Sequence, residues 1–155
     1  WDNTLSLAGL LKLRIIMKAT ITWQEEVTFE GESGSGHKVI MDGPEDAGGR
    51  NLGARPMEMI LLGVGTCSAF DVVAILKKSR QQITDCVTEV EAQRVDSIPA
   101  VFEKIHMTFK VKGKNLDPDK VKRAVDLSAD KYCSASIMLQ RAGVEITHDF
   151  IIEED

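Results

Sequence analysis

The stretch that decides the fold is residues 56–78, PMEMILLGVGTCSAFDVVAILKK. Its first residue, Pro56, suits the first turn of a helix because the N–H that proline lacks would have no partner there. Apolar residues then occupy nearly every face of a helix until Lys77. Since a helix that is apolar all round is enclosed by other elements, the stretch predicts a buried central helix that ends near residue 79.

Two glycines, Gly63 and Gly65, interrupt this apolar helix. Glycine costs about 1 kcal/mol against alanine inside a helix, so the pair predicts the close approach of another backbone. The longest apolar run, residues 59–70, is shorter than the roughly 20 residues of a membrane span. The sequence therefore favours a core helix over a membrane helix.

Upstream of the helix, segments 18–23, 27–31 and 37–41 favour strands, and residues 42–55 form a polar loop. The glycine cluster at residues 31–36 lacks the G-x-x-x-x-G-K-[ST] pattern of a phosphate-binding loop and precedes a strand. It therefore predicts a hairpin turn.

Downstream of the helix, residues 82–94 and 101–112 predict two long strands. The second strand alternates, so that two sets of side chains should face opposite sides: Val101, Ile105, Met107, Phe109 and Val111 on one, and Phe102, Lys104, His106, Thr108 and Lys110 on the other.

The C-terminal third predicts two helices and a last strand. Asp117 suits the N-cap and Pro118 the first position of a helix that reaches about residue 132. A short helix should follow Cys133 and end at Gly143, before a strand at residues 144–152.

The predicted order is β-β-β-α-β-β-α-α-β, in which strands come in hairpins and not in βαβ alternation. This order predicts an α+β fold with antiparallel sheets around a buried central helix. Met17 begins a natural start, so residues 17–155 are expected to form a single domain of ordinary size. Residues 1–16 are expected to be an N-terminal extension or an artefact of the gene start.

Composition and charge exclude several functional classes. With 43% hydrophobic and 28% charged residues the chain is an ordinary globular protein. Its net charge of −5 argues against nucleic-acid partners, which need a basic patch, and no basic run exists to hold an anionic membrane. Three cysteines without a C-x-x-C predict neither a disulfide framework nor a structural zinc. A reducing cytoplasm is the expected compartment, and no metal or cofactor is expected.

Two of the cysteines stand in places where thiol chemistry is conceivable. Cys67 lies inside the apolar helix, and Cys133 lies at the junction of the last two helices. A helix N-terminus lowers a thiol pKa, which predicts a more reactive Cys133. An unshifted thiol is only about 3% thiolate at neutral pH, whereas a pKa near 6 makes it mostly thiolate. From chemistry alone a functional pair is the less favoured interpretation, because most buried cysteines are simply small hydrophobes.

The sequence around each cysteine is more specific. Residues 56–68, PMEMILLGVGTCS, and residues 124–134, AVDLSADKYCS, together resemble the OsmC/Ohr family of osmotically inducible and organic hydroperoxide resistance proteins, and within it the YhfA-like branch. The resemblance runs from about Met17 to the C-terminus. It implies an α+β fold in which two chains intertwine into a homodimer, with active sites at the interface.

The resemblance also implies roles for the two cysteines. Cys67 would be the peroxidatic cysteine, which an organic or hydrogen peroxide oxidises to a sulfenic acid. Cys133 would be the resolving cysteine, forming a disulfide that a dithiol reductant reopens. The expected function is therefore that of a thiol peroxidase in oxidative stress defence.

One position departs from the family pattern. In the well-studied branches a glutamate directly follows the helix-starting proline and holds an arginine over the reactive thiol. Here Met57 takes that place, and Glu58 comes one residue later, which turns its side chain by about 100° around the helix. The upstream loop offers Arg50 and Arg55 as the arginine. Arg55 is expected to serve, at a lower rate than in those branches.

Two other functions remain open at this point. One is a non-catalytic relative that binds a small apolar ligand in the interfacial pocket, and the other is a thiol–disulfide oxidoreductase that never meets peroxide.

Asp71, one turn after Cys67, would raise a neighbouring thiol's pKa if it were ionised and facing it, and it is expected to cap or pair elsewhere at the interface. Cys86 is expected to be structural, and the three histidines lack metal-ligand spacing: His37, His106 and His148.

Overall fold

A computed structural model describes residues 16–155 of the chain. The chain divides into two compact units, the first ending at residue 56 and the second covering residues 57–155. The extension predicted over residues 1–16 lies, apart from Ile16, outside the described residues. The single domain expected over residues 17–155 stays a prediction.

The first unit is an antiparallel meander of three strands. Its strands are β1 (Ala19–Glu25), β2 (Thr28–Ser33) and β3 (Lys38–Met41), hydrogen-bonded in that order. The turn between β2 and β3 is closed by Ser33 N donating to His37 O over 2.9 Å. Gly36 adopts a φ of 87° there, a left-handed conformation that glycine adopts without steric cost. The glycine cluster is therefore a hairpin turn, as predicted.

This small sheet leaves much of its apolar surface uncovered. Every residue of β1 is exposed, including Ile21 at 61% and Trp23 at 65%. Val39 on β3, which is in register with Ile21 through Gly31, is also more than a third exposed. Contiguous exposed apolar surface marks interaction sites in proteins, so the sheet presents a face suited to a partner.

The second unit begins with α1 (Pro56–Lys78), which ends within one residue of the predicted end. One stripe of this helix is buried, comprising Val64, Gly65, Ser68, Val72 and Leu76. The opposite side is exposed, with Leu62 at 57% and Phe70 at 73%. Within one chain the second unit packs against only one face of α1, so its coverage on all sides, which was expected from a second copy of the chain, stays a prediction.

In the part of the chain that the structure describes, α1 is the one helix long and apolar enough to cross a membrane by length and composition, with a mean hydropathy of 2.1. The apolar run at residues 59–70 is shorter than the helix because Asp71 interrupts it, whereas α1 continues to Lys78. A core helix passes the same test of length and composition. Since its buried stripe contributes Val64, Val72 and Leu76 to the hydrophobic core, we interpret α1 as a core helix.

The second sheet consists of β4 (Gln82–Arg94), β5 (Phe102–Lys114) and β6 (Glu145–Glu154), in that order. β4 and β5 form the predicted antiparallel hairpin, but β6 runs parallel to β5. The prediction of purely antiparallel sheets is wrong at this pairing. The two helices between β5 and β6 act as a crossover that returns the chain to the same end of the sheet, and such a connection makes strands parallel.

A β-bulge changes which side chains of β5 face the core. The pairing shifts between Gln93 and Arg94, and Arg94 lies opposite Phe102. Phe102 and Ile105 are both buried, whereas Val101 is 52% exposed. The prediction that Val101 shares a side with Ile105 while Phe102 lies on the opposite side is therefore wrong, because one extra residue reverses the alternation.

Two helices and a π turn cover the second sheet. They are α2 (Pro118–Leu127), the π turn (Ser128–Tyr132) and α3 (Ser134–Arg141). Asp117 caps α2 as predicted, its side chain accepting a hydrogen bond of 2.9 Å from Asp119 N. The predicted helix to residue 132 is α-helical only to Leu127. The core between these layers includes Leu76, Ile105, Met107, Phe109, Val111, Val121, Val125 and Cys133.

The glycines of α1 have different surroundings. A Cβ added to Gly65 would lie 2.8 Å from Cγ2 of Val90, whereas one added to Gly63 meets nothing within 4 Å among the described residues. The predicted close approach of another backbone is thus not found within residues 16–155. At Gly65 the neighbour is the stiff side chain of a valine on β4.

We expect Gly65→Ala to lower the free energy of unfolding by about 1 kcal/mol, because overpacking costs about 1–3 kcal/mol and alanine regains about 1 kcal/mol of helix propensity. In a Val90→Ala background the clash disappears, and the same substitution should raise the free energy by about 1 kcal/mol. Urea unfolding of the four proteins checks this. An equal effect of Gly65→Ala in both backgrounds would contradict it.

Candidate functional site

Cys133 lies at the junction of α1, the π turn and α3. It is the N-cap of α3, and its Sγ accepts a hydrogen bond from Ser136 N over 3.4 Å. Its backbone N donates to Ser128 O over 2.9 Å and so closes the π turn. The Sγ also lies 3.9 Å from Val64 O on α1. The thiol is fully buried, and because π turns often mark functional sites, this junction is a candidate site.

Cys67 meets Cys133 at this junction. It lies on α1, three residues after Val64, and is partly exposed. The two side chains are close enough that Cys67 influences the pKa of Cys133 through a hydrogen bond and through charge. Both cysteines are free thiols in this structure. The structure therefore brings together the two cysteines that the sequence singled out, one reachable from solvent and one not.

The pKa of Cys133 is raised, not lowered. Burial is the largest cause, and the Ser68 side chain and the Ser136 N–H lower the pKa by less, while Cys67 raises it further. The expectation of a lowered pKa at the start of α3 is wrong, because the loss of water around the sulfur outweighs the N–H of the helix end. Cys133 is consequently a protonated thiol at neutral pH.

A serine that the sequence analysis passed over completes the junction. Ser68 follows Cys67 on α1 and is fully buried, and its backbone O accepts a hydrogen bond of 2.9 Å from the Ser128 hydroxyl. Its own Oγ has no well-aligned hydrogen-bond partner among the described residues, although it lies near enough to Cys133 to lower that thiol's pKa. The sequence feature that could have identified Ser68 is a serine next to a cysteine inside an apolar helix.

We expect Ser68→Ala to leave the free energy of unfolding unchanged or to raise it, because an unpaired buried hydroxyl costs about 1–3 kcal/mol. The same variant should raise the pKa of the Cys133 thiol further, since the hydroxyl lowers it. Denaturant unfolding of the reduced protein and spectroscopic thiolate titration check both results. Ser128→Ala is the matched control and should destabilise by about 1 kcal/mol; equal losses in both variants would contradict this account.

The upstream loop holds its two arginines differently. Arg50 pairs with Glu25, with Nη1 3.0 Å from Oε2, and its Nη2 lies 3.5 Å from Thr28 Oγ1. Arg55 donates from Nη1 to Asn51 Oδ1 over 2.8 Å. Arg50 thus takes part in a solvated ion pair, as expected for a loop charge, whereas Arg55 is held by an amide oxygen.

The loop itself is organised by a buried carboxylate that the sequence analysis did not single out. Asp42 is 1% exposed, and its two oxygens accept hydrogen bonds from Gly43 N at 2.8 Å and from Arg50 N and Leu52 N at 3.1 Å each. The sequence feature that could have identified Asp42 is an aspartate directly before a glycine-rich loop. These three bonds fix the backbone on which both arginines stand.

Glu58 lies in the first turn of α1, nine residues before Cys67. Nine residues of helix rise by about 13 Å and turn by about half a circle. Glu58 therefore cannot touch the Cys67 thiol of its own chain, and any part it takes must act through another residue or another copy. Its catalytic role stays a prediction.

Asp71 lies one turn beyond Cys67. Burial raises the pKa of its carboxyl, and its buried Oδ2 has no hydrogen-bond partner in the described part of the chain. The partner expected for it at an interface stays a prediction.

Within residues 16–155, no group of three or more histidine, cysteine or acidic side chains could hold a metal ion. Two histidines have other partners. His106 Nδ1 lies 2.6 Å from Thr147 Oγ1, and His148 Nε2 lies 2.9 Å from Asp126 Oδ1. Cys86 packs against the core, and burial raises its pKa.

Comparison with known proteins places these features in a family. The family model described as OsmC-like protein matches residues 48–149. The chain is 46% identical to protein YhfA of Escherichia coli strain K12 over 134 residues, which cover 86% of this chain and 96% of that protein.

Solved structures share the fold. A hypothetical protein from Aquifex aeolicus is 26% identical with a TM-score of 0.75, covering 90% of this chain and 98% of that one. The organic hydroperoxide resistance protein OhrB of Bacillus subtilis is 19% identical with a TM-score of 0.58, covering 88% and 98%. The expected α+β fold is confirmed by these similarities.

Proposed function

Because this chain belongs to the OsmC family, we propose that it is a cysteine-based thiol peroxidase that reduces organic or hydrogen peroxides. The observation that carries the proposal is the contact between a partly exposed Cys67 and a fully buried Cys133. A peroxide can reach the first thiol but not the second. The organic hydroperoxide resistance protein with the same fold supports the choice of substrate.

The reaction proceeds in three steps. The Cys67 thiolate attacks one peroxide oxygen, an S–O bond forms, the O–O bond breaks, and an alcohol or water leaves. The Cys133 thiol then attacks the sulfur of the sulfenic acid, so that an S–S bond forms and water leaves. A dithiol reductant finally opens the disulfide by thiol–disulfide exchange.

The unequal burial of the two thiols suits this division of work. Burial keeps Cys133 protonated and out of contact with solvent, so it does not compete for peroxide. Its sulfur is nevertheless beside Cys67 when the sulfenic acid forms. The resolving step is then intramolecular, and it outpaces a second oxidation because the two sulfurs are already held together.

Arg55 is the cation that we assign to the Cys67 site. Asn51 holds its guanidinium, in a loop fixed by Asp42. Since Met57 stands where the family has glutamate, we expect a slower first step than in the well-studied branches.

The proposed working form is a homodimer in the cytoplasm. Leu62 and Phe70 on α1 and Ile21 and Trp23 on β1 are all more than half exposed in the single chain, and a second copy of the chain would cover them. A cytoplasmic location fits because small and protein dithiols there reopen disulfides.

The test is stopped-flow oxidation of the reduced protein by cumene hydroperoxide and by hydrogen peroxide. We expect the wild type to react faster than free cysteine at the same pH, and Arg55→Ala to slow this step about tenfold, or 1.4 kcal/mol. Arg50→Ala is the matched control and should leave the rate unchanged, since Arg50 pairs with Glu25. A wild type no faster than free cysteine would exclude a peroxidase. Rapid disulfide exchange in that case would favour an oxidoreductase.

A further inference from the structure

Asp71 is the one charged residue of α1 between Glu58 and Lys77. It lies four residues after Cys67, and side chains at this spacing lie on the same side of a helix. Both residues are partly exposed, at the border between the buried stripe of α1 and its exposed apolar side. The Cys67 and Asp71 side chains therefore border the same side of α1.

The environment of Asp71 is unusual for an acidic side chain. Its Oδ2 is buried and lacks a hydrogen-bond partner among residues 16–155. Burial alone accounts for its raised pKa, and no cation offsets the effect. Leaving a carboxylate oxygen unpaired in an apolar setting is unfavourable, so an aspartate here weakens the fold where leucine would not.

The distance between the two side chains suits a peroxide between them. Residues at this helical spacing have Cβ atoms about 5–6 Å apart, and a reacting oxygen approaches sulfur at about 3–3.5 Å. The second oxygen of the peroxide lies one bond farther on. A carboxyl one helical turn away then lies within hydrogen-bond reach of the oxygen that leaves.

We propose that Asp71 is the general acid of peroxide cleavage, which protonates the leaving oxygen while Cys67 attacks the other oxygen. This inference rests on the proposed peroxidase function. The sulfur lone pair forms the S–O bond, the O–O bond breaks, and its electron pair stays on the leaving oxygen. That oxygen takes the carboxyl proton and departs as an alcohol, and the carboxylate regains a proton from water before the next turnover.

The chemistry of the leaving group explains why an acid is needed. Alkyl hydroperoxides expel an alkoxide, which is strongly basic, so donating a proton in the transition state lowers the barrier, typically by about 10²–10⁴-fold in rate. Burial disfavours the ionised form of the Asp71 carboxyl, which is the direction that a general acid requires. The burial that weakens the fold at Asp71 thus serves the reaction.

The test is the leaving-group dependence of Cys67 oxidation in Asp71→Asn, an isosteric variant without the acidic proton. We expect it to slow oxidation by tert-butyl and cumene hydroperoxide about 100-fold. Oxidation by peracetic acid, which expels the weakly basic acetate, should change by less than about twofold. Asp71→Glu restores the acid and should recover part of the rate with the alkyl hydroperoxides. Asp126→Asn, which removes a carboxyl paired with Lys122 and His148, is the control and should leave both rates unchanged.

Each other outcome overturns the proposal. If Asp71→Asn slows all three oxidants equally, the carboxyl acts on structure and not on the leaving group. If it slows none, the carboxyl takes no part. Light scattering and circular dichroism check that the variants keep the fold and mass of the wild type. If Asp71→Asn does not fold, Asp71→Glu tests the proposal, because its displaced carboxyl should slow the alkyl hydroperoxides more than peracetic acid, and unchanged rates with all three oxidants would overturn it. A wild type that reacts with no peroxide would overturn both the proposed function and this inference. An active wild type with an unaffected Asp71→Asn variant would overturn the inference alone.

Discussion

Cys67→Ser is expected to abolish reduction of peroxides, lowering the rate constant of the first step by at least about 10³-fold. The serine hydroxyl is almost wholly protonated at neutral pH and is a far weaker nucleophile than a thiolate, and loss of a nucleophile costs an enzyme this much or more. Single-turnover kinetics with cumene hydroperoxide measure the effect. Cys86→Ser is the matched control and should react like the wild type, because Cys86 lies on β4, apart from the junction.

Cys133→Ser should separate the two thiol steps. The first oxidation is expected to stay within about threefold of the wild type, because the attacking thiol is intact. The sulfenic acid then has no resolving partner and proceeds to sulfinic acid with excess peroxide, which mass spectrometry detects as two added oxygens. If Cys133→Ser loses the first step while Cys67→Ser retains it, the two roles are reversed.

The second large effect concerns assembly. Light scattering at micromolar concentration should give twice the 17.1 kDa mass of the chain. The reason is that the apolar helix α1 leaves the Phe70 side chain 73% exposed in a single chain. An interface that covers it belongs to the obligate class above about 2,000 Å². A stable wild-type monomer would contradict the homodimer.

Phe70→Asp is expected to weaken the dimer by at least about 100-fold, because it forces an unpaired carboxylate into an apolar interface. Ile98→Asp is the matched control. Ile98 is fully exposed in a connecting segment between β4 and β5, and its substitution should leave the mass unchanged. Loss of the dimer in both variants would show that added charge, and not the α1 surface, disrupts assembly.

Local patterns predicted the elements well. Pro56 and the unbroken apolar run set the start and end of α1 within one residue, and Asp117 with Pro118 set the start of α2. The hairpin of β4 and β5 followed from alternation and turn residues. These features depend on neighbours within a few positions along the chain, which sequence alone displays.

Pairings between distant segments were not predictable in the same way. The parallel direction of β6 depends on the path of α2 and α3 across the sheet, and the buried side of Phe102 depends on a bulge opposite Arg94. Each is decided by which hydrogen bonds the assembled sheet can satisfy. No single segment carries that information.

The sequence by itself determined the family, through the two motifs around Cys67 and Cys133, and with it the expectation that these thiols act as a pair. Only the tertiary structure decided their environment. Packing of α1, the π turn and α3 removes water from Cys133 and raises its pKa, and burial leaves the Ser68 hydroxyl and Asp71 Oδ2 without partners within the described residues. The cost of removing water from a polar group depends on every atom around it, and those atoms come from segments up to about seventy residues apart in the chain.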